Sequence, residues 1–264
     1  MLLPKSIFIS HGGGPLPLLG DTGHRQLVDS LKSIAARVRK PDSILLISAH
    51  WEEDVPTITS GGNPSLIYDY YGFPEESYSI EYSCPGNPAL AKEVYESLNS
   101  ADIKAKLDDK RGFDHGMFVP LKIMYPEANI PCVQLSLTNN LDPSHHLNVG
   151  AALRTIAQKN VLVIGSGFSF HNMRAFFNSD TPESMGLNQS FEEWLKDTCS
   201  NTTYSEEKRK QRLTDWAKAP GSRFCHPREE HLLPLHVCYG LAQSPSVEYL
   251  DINILNKKAG MILW

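Results

Sequence analysis

Residues 43–48 read SILLIS, an apolar run of four residues enclosed by two serines. A strand with one face in water alternates apolar and polar residues, whereas a strand covered on both faces is apolar throughout. Residues 6–10, 132–137 and 160–165 are short runs of the same kind. Strands buried on both faces are typical of parallel sheets with helices on each side. We therefore predict an α/β fold, in which a single domain has a central, mostly parallel sheet flanked by helices.

The segments between these runs have helical patterns. Residues 26–39 repeat apolar side chains every three or four positions, which is the spacing of one helix face. Asn87 and Pro88 open the next helix, because asparagine is a favoured N-cap and proline is tolerated in the first turn. Further helices are predicted at residues 144–158, 183–198, 206–216 and 227–241. Inside the last of these, Pro234 lacks a backbone donor and should bend the helix.

The composition limits the classes of protein to which the chain can belong. Of its 264 residues 41% are hydrophobic and 21% are charged, and the net charge is −5. Neither a basic stripe nor a long apolar run suggests a nucleic-acid or membrane partner. The five cysteines include no C-x-x-C pair, which argues against a disulfide framework or a thiolate metal site. We expect one domain over residues 1–264, acting in the cytoplasm as a monomer or homodimer, with any metal held by nitrogen and oxygen.

Histidines follow three of the four predicted strands. His11 directly follows the first strand, His50 lies two residues beyond the second, and His171 lies a few residues beyond the fourth. Ligands of open α/β sheets bind outside the carboxyl ends of the strands. His231, early in the last predicted helix, could reach the same edge. Because imidazole is the commonest metal ligand and exchanges protons near neutral pH, this placement predicts a metal site with acid/base groups beside it.

Several of these segments also have explanations that involve no metal. Residues 11–15, HGGGP, could be a plain turn or the oxyanion-hole motif of lipases and esterases. That motif requires a G-x-S-x-G elbow, and the nearest sequence, residues 167–171, has histidine in place of the last glycine. The polar residues around His50 could simply end a strand. His115, between glycines in GFDHG, lies either in a turn or in a loop mobile enough for acid/base work.

Residues 226–236, HPREEHLLPLH, are dense in side chains that can bind metals. In a helix, His226 and Glu230 would share a face, but the spacing is not the H-E-x-x-H of metalloproteases. A solvated helix start is a serious alternative for His226, Glu229 and His236. Three other histidines stand in polar surroundings typical of the surface: His24, His145 and His146.

Taken in order along the chain, the motifs are more specific than any one alone. HGGGP, SAHW, GFDHG, P-x-x-x-I-P-x-x-Q-L-S, G-S-G-x-x-x-H-N and H-P-x-x-E-H-x-x-P-L occur in succession. This series resembles the extradiol ring-opening dioxygenases of the DOPA 4,5-dioxygenase type, from the superfamily of the catalytic subunit of protocatechuate 4,5-dioxygenase. The resemblance runs from about residue 7 to residue 240. It implies insertion of O2 into a catechol, DOPA-like or other, to give a ring-opened semialdehyde.

The same resemblance implies roles for five histidines. His11, His50 and His231 match the metal ligands, and His115 matches the general acid/base. His171 matches a further histidine beside the metal, in some descriptions a fourth ligand and otherwise a catalytic residue. One non-haem metal ion per subunit is implied, Fe(II) for dioxygenase turnover, with zinc also described in related proteins.

Two departures from common patterns keep alternatives open. Non-haem iron oxygenases usually have a carboxylate ligand, and that place is taken here by His231, so the adjacent Glu230 stays a candidate. The HGGGP turn is one glycine longer than the usual His-Gly-x-Pro turn. A zinc enzyme without redox chemistry and a non-catalytic binding protein are the competing hypotheses. Three arginines beside the motifs either bind a substrate carboxylate or lie on the surface: Arg111, Arg174 and Arg228.

Overall fold

One sheet of eight strands is formed in the computed structural model, which describes residues 3–264. The strands are β1 (Ile7–Ser10), β2 (Ser43–Glu53), β3 (Thr57–Thr59), β4 (Lys106–Asp108), β5 (Cys132–Thr138), β6 (Val161–Gly167), β7 (Glu248–Ile254) and β8 (Lys257–Leu263). Their order across the sheet is β4-β3-β5-β2-β6-β1-β8-β7. The four central strands β5, β2, β6 and β1 are parallel, which confirms the predicted fold class.

The residues that the structure describes include nine α-helices, several of which cover the two faces of this sheet. They are α1 (Arg25–Arg37), α2 (Pro88–Ser100), α3 (His115–Met124), α4 (Pro143–Ala152), α5 (Met173–Phe177), α6 (Pro182–Ser200), α7 (Glu206–Thr214), α8 (Ser222–Cys225) and α9 (Leu233–Ala242). None of these helices is long and apolar enough to cross a membrane.

The alternation along β2 divides the core into two parts. Ile44 and Leu46 pack into one cluster of buried side chains, and Leu45 and Ile47 pack into the other. All four side chains are fully buried. Successive side chains of a strand point to opposite faces, so the SILLIS run is apolar because both of its faces lie under helices.

β2 continues beyond the end that its apolar run predicts. Its parallel register with β5 is regular to Ile47 and resumes at Glu52, and the residues between them form a bulge. His50 lies in this bulge, so the prediction that it stands beyond the end of the strand is wrong. A bulge bends a strand and redirects its side chains while pairing resumes further on, so polar residues at this point did not mark a strand end.

The helix predicted at residues 227–241 begins later than expected. α9 starts at Leu233, and the residues before it form turns, so His231 precedes the helix. Pro234 therefore stands in the first turn, where its missing N–H breaks no hydrogen bond, and the predicted bend is wrong. The helix predicted at residues 144–158 is likewise shorter, because α4 ends at Ala152.

The sheet edges were not predicted from sequence. β3 and β4 are only three residues long, and β3 runs antiparallel to β5. At the other edge β7 and β8 form a hairpin, and β8 pairs antiparallel with β1. The hairpin turn places Leu255 and Asn256 at positive φ, 50° and 65°. Leu-Asn lacks the glycine that usually marks such a turn, which explains why the hairpin was missed.

Glu192 on α6 is a buried carboxyl that supports the packing of this hairpin. Its side chain is 5% exposed and accepts a hydrogen bond of 2.9 Å from the Tyr249 hydroxyl of β7. Burial raises the pKa of Glu192 to about 7, against opposing hydrogen bonds from Ser169 and Tyr249. The folded state therefore binds this proton more tightly than the unfolded chain does.

Glu192→Gln should remove a pH dependence from the stability of the protein. Below about pH 4.5 the carboxyl is protonated in both the folded and the unfolded state. As the pH rises the unfolded chain ionises first, and the free energy of unfolding falls by about 3 kcal/mol by about pH 7. In urea unfolding the variant should match the wild type at acid pH and exceed it by up to about 3 kcal/mol above neutrality. The exposed neighbour Glu193→Gln is the control. Equal pH profiles for all three proteins would contradict the assignment.

Candidate active site

Three histidines from distant parts of the chain meet at the carboxyl edge of the central strands. His11 directly follows β1, His50 lies in the bulge of β2, and His231 lies two residues before α9. One ring nitrogen from each lies within 4.8 Å of the others, and the Nε2 atoms of His11 and His50 are 3.0 Å apart. Three convergent imidazole nitrogens are a donor set that suits iron or zinc.

His11 is held in one tautomer by its neighbour on β6. Its Nδ1 lies 3.1 Å from the hydroxyl oxygen of Ser166, and that hydroxyl donates its own proton to the Gly116 carbonyl. Ser166 Oγ must therefore accept a proton from His11 Nδ1, which leaves Nε2 with its lone pair facing His50. Burial and the neighbouring histidines lower the pKa of His11 well below its usual range, so the ring is neutral. A neutral ring with a directed lone pair fits a metal ligand.

One carboxylate supports both His231 and His171. Glu230 Oε1 accepts hydrogen bonds from the Nδ1 atoms of His231, at 2.9 Å, and His171, at 3.1 Å. The two rings are stacked, with centroids 3.3 Å apart. Burial alone would raise the pKa of Glu230, but the hydrogen bonds from the two imidazoles outweigh it and lower that pKa. Burial lowers the pKa of His231 to about 3. Because both imidazoles occupy Oε1, Glu230 fits a supporting role better than that of a ligand.

His115 is the first residue of α3, so neither the turn nor the mobile loop suggested by its sequence is observed. Its side chain is 6% exposed, and its ring centroid lies 3.9 Å from that of His50. Asp69 Oδ1 accepts hydrogen bonds from both its ring Nδ1, at 2.8 Å, and its backbone N–H, at 2.9 Å. Burial raises the pKa of Asp69, but the His115 contacts outweigh that effect and lower it overall. No role is predicted for Asp69 from sequence, since its contact with His115 exists only in the fold.

Asp114 anchors the start of α3 to the sheet. Its fully buried carboxylate accepts hydrogen bonds from the Ser48 hydroxyl at 2.8 Å, from Arg111 at 3.3 Å and from the Gln134 amide. Burial raises the pKa of Asp114 in spite of these partners. The Arg111 guanidinium also lies over the Trp51 ring, 4.4 Å from its centroid. Arg111 therefore belongs to the framework that positions His115, whereas Arg174 is exposed.

The glycine turn after His11 depends on a buried histidine. His24 is fully buried, accepts the backbone N–H of Gly13 at 2.9 Å, and places its other ring nitrogen 2.6 Å from Asp21. Gly12 has φ of +83° and a Cβ there would come within 2.8 Å of three side chains, so only glycine fits. The prediction that His24 lies on the surface is wrong.

Three further histidines from polar stretches of the sequence are also buried. The His226 ring donates to the Ser169 carbonyl at 2.6 Å, and its environment is formed partly by Phe191 and Trp216. This backbone partner occupies Nε2, while the buried Nδ1 has no hydrogen-bond partner among the described residues, and a polar sequence context does not reveal such contacts. The expectation of exposure is wrong for His146, which is 1% exposed, and the alternative of a solvated helix start does not hold for His226 and His236, which are fully buried.

Comparison with known proteins shows the family of the chain. The family model described as the catalytic LigB subunit of aromatic ring-opening dioxygenase matches residues 5–259. Dioxygenase tasH of Hapsidospora irregularis is 39% identical over 277 residues, covering 96% of this chain and 85% of that protein. A 4,5-DOPA dioxygenase extradiol of Portulaca grandiflora is 41% identical over 244 residues, covering 89% and 85%.

A solved structure agrees in fold. The crystal structure of an uncharacterized protein from Escherichia coli K12 aligns with a TM-score of 0.78 and 26% identity, over 99% of both chains. The resemblance that the histidine motifs indicated is confirmed. The chain belongs to the LigB family of aromatic ring-opening dioxygenases and is a ring-cleaving extradiol enzyme.

Proposed function

We propose that the enzyme opens a catechol ring with O2 at one non-haem metal ion held by His11, His50 and His231. The observation that carries this proposal is the convergence of three imidazole nitrogens within 4.8 Å. Fe(II) is the metal that we propose for turnover. Zinc suits the same all-nitrogen donor set, so a zinc enzyme without redox chemistry is the second candidate.

The substrate class that we propose is a DOPA-like catechol. The name 4,5-DOPA dioxygenase extradiol is carried by the relative from Portulaca grandiflora, which is 41% identical. In extradiol cleavage the bond next to the two hydroxyls breaks and both atoms of O2 enter the product, a muconic semialdehyde. When bound, Fe(II) supplies Lewis acidity toward the catechol oxygens and electron density for O2.

His115 is proposed as the general acid/base. Its Nδ1 proton is held by Asp69 at 2.8 Å, so Nε2 keeps the lone pair and can accept a proton from a catechol hydroxyl. The Asp69 carboxylate then stabilises the imidazolium, as a buried carboxylate does in other acid/base pairs. His115 returns the proton to an oxygen released during ring opening.

His171, whose ring stacks on that of His231, is proposed as a second catalytic group. Glu230 holds its Nδ1 at 3.1 Å, which leaves Nε2 available to hydrogen-bond a reacting oxygen or to act as a fourth ligand. Its side chain is 21% exposed, more than that of His231, which agrees with a position facing bound reactants.

Domain organisation, cellular location and oligomeric state form a further part of the proposal. We propose that residues 1–264 form one catalytic domain, acting in the cytoplasm as a monomer or homodimer, with small molecules as its partners and no nucleic acid or membrane. The continuous sheet supports the single domain, and five buried free thiols are consistent with a reducing compartment.

The dioxygenase proposal is tested by turnover. The apo-protein is loaded anaerobically with Fe(II), and catechols and O2 are then added while O2 uptake and the appearance of a yellow product are followed. With a DOPA-like catechol, the amount of O2 consumed should equal the amount of product formed. One bound Fe(II) per chain with no O2 uptake for any catechol would refute the proposal, and a parallel metal analysis of native protein tests the zinc alternative.

His50→Ala and His115→Ala should separate metal binding from proton transfer. His50→Ala removes a ligand and should lose both bound metal and turnover. His115→Ala should keep one metal per chain and lose about 10²- to 10⁴-fold in kcat, the usual contribution of a general acid/base. Elemental analysis and O2 uptake give the two quantities. Loss of the metal from His115→Ala would contradict its assigned role.

Asp69→Asn should reduce turnover without removing the metal. The amide leaves His115 without a charged partner for its ring, so we expect a fall in kcat of about 10- to 100-fold with unchanged metal content. Asp54→Asn, at an exposed position after β2, is the matched control. A variant with wild-type kcat would show that Asp69 only caps α3.

A further inference from the structure

Arg228 lies between two carboxylates from different segments of the chain, Glu52 on β2 and Glu230 in the turn before α9. Its Nη1 and Nη2 donate to the two oxygens of Glu52 at 2.5 and 2.6 Å, and Nη1 also lies 3.3 Å from Glu230 Oε2. The fork of a guanidinium matches a carboxylate in this two-bond geometry. The Arg228 side chain is 52% exposed, whereas Glu230 is 11% exposed, so the bridge closes over a largely buried acceptor.

The two carboxylates stand next to the proposed metal ligands. Glu52 lies two residues beyond His50, where the register of β2 resumes after the bulge. Glu230 immediately precedes His231 and accepts its Nδ1 proton at 2.9 Å. Neither ligand lies in regular hydrogen-bonded structure: His50 is in the bulge and His231 is in a turn. The contact that Arg228 makes with the side chains of Glu52 and Glu230 adds a direct link between the two segments.

We infer that Arg228 is a positioning residue of the metal centre, which acts by bridging Glu52 and Glu230. The inference rests on the proposed function, because it concerns the site that His50 and His231 would form. The backbone of His231 is fixed by the hydrogen bond of 2.9 Å from Phe168 N–H to its carbonyl. Its ring, in contrast, is directed by Glu230, and Arg228 holds the other oxygen of that carboxylate.

Charge alone does not account for this arrangement. A lysine at this position would carry the same charge, but its ammonium is a compact point charge without the planar fork. A half-exposed pair also gains little from Coulomb attraction in water, because solvent screens it. What the bridge supplies is a fixed distance between two segments. Ligand orientation by groups behind the metal ligands commonly changes metal affinity about 10- to 100-fold.

The same segment offers a matched comparison. Arg223 is 51% exposed and lies 2.7 Å from Glu229, so it forms an ion pair of similar exposure a few residues away. Glu229 forms no ion pair with a histidine among the residues that the structure describes. Removing Arg223 therefore disturbs a surface pair of this segment without touching the support of His231 or His171.

The test measures metal affinity, which does not depend on turnover. Apo-proteins of the wild type and of Arg228→Gln, Arg228→Lys, Glu52→Gln and Arg223→Gln are titrated with Zn(II) against a chromogenic chelator. We expect Arg228→Gln to bind about 10- to 100-fold more weakly. Glu52→Gln should also bind more weakly, Arg228→Lys should recover only part of the loss, and Arg223→Gln should match the wild type. The Co(II) absorption spectrum should change for Arg228→Gln and not for Arg223→Gln.

Each contrary result has a distinct meaning. Wild-type affinity in Arg228→Gln, or an equal loss in Arg223→Gln, overturns the inference. Wild-type Zn(II) affinity in Arg228→Lys overturns the bridging geometry, because charge would then be sufficient. Absence of metal binding in the wild type refutes the proposed function and not the role of Arg228 within it. Thermal unfolding of the apo-proteins checks folding, and Glu52→Gln, which keeps the arginine, tests the bridge if Arg228→Gln does not fold.

Discussion

A neutral imidazole has one N–H and one lone pair, and a hydrogen-bond acceptor beside one nitrogen decides which nitrogen has the proton; acceptors of this kind surround four of the five histidines of the site. Ser166 accepts from His11, and Glu230 accepts from both His171 and His231. Asp69 accepts from His115. Each acceptor comes from a different segment of the chain, so the tautomers of the rings depend on the whole edge of the sheet. The buried polar residues around the site are therefore explained by the positions of protons.

The sheet provides this edge because its central strands are parallel. The pairing of β6 with β1 and with β2 stops at the same level, and the residues at this level supply His11, the bulge with His50, and Ser166. Apolar packing on both faces holds the strands in register. The irregular part of β2 includes His50, whose Nε2 lies 3.0 Å from that of His11. A bulge of this kind redirects side chains that a regular strand would point alternately to the two faces.

Sequence reasoning was reliable where apolar periodicity was strong and poor where tertiary contacts decide. The buried strands and α2, with Asn87 accepting from Leu90 N–H at 3.0 Å, were predicted because local chemistry specifies them. The edge strands and the start of α9 were missed, because neighbouring segments decide them. The convergence of the histidines followed from strand ends and motif order. Their supporting acceptors could not be predicted, because Asp69 and His115 are 46 residues apart.

The position of β1 within the sheet has a consequence for folding. β1 is the first strand of the chain, yet its two neighbours are β6 and β8, whose residues follow more than 150 positions later. Contacts between residues so far apart in sequence close large loops and form slowly. His11 consequently waits for most of the chain before Ser166 and His231 reach it. The candidate metal site therefore exists only where the long-range pairing of β1 with β6 has formed, so its donor set depends on the completed sheet.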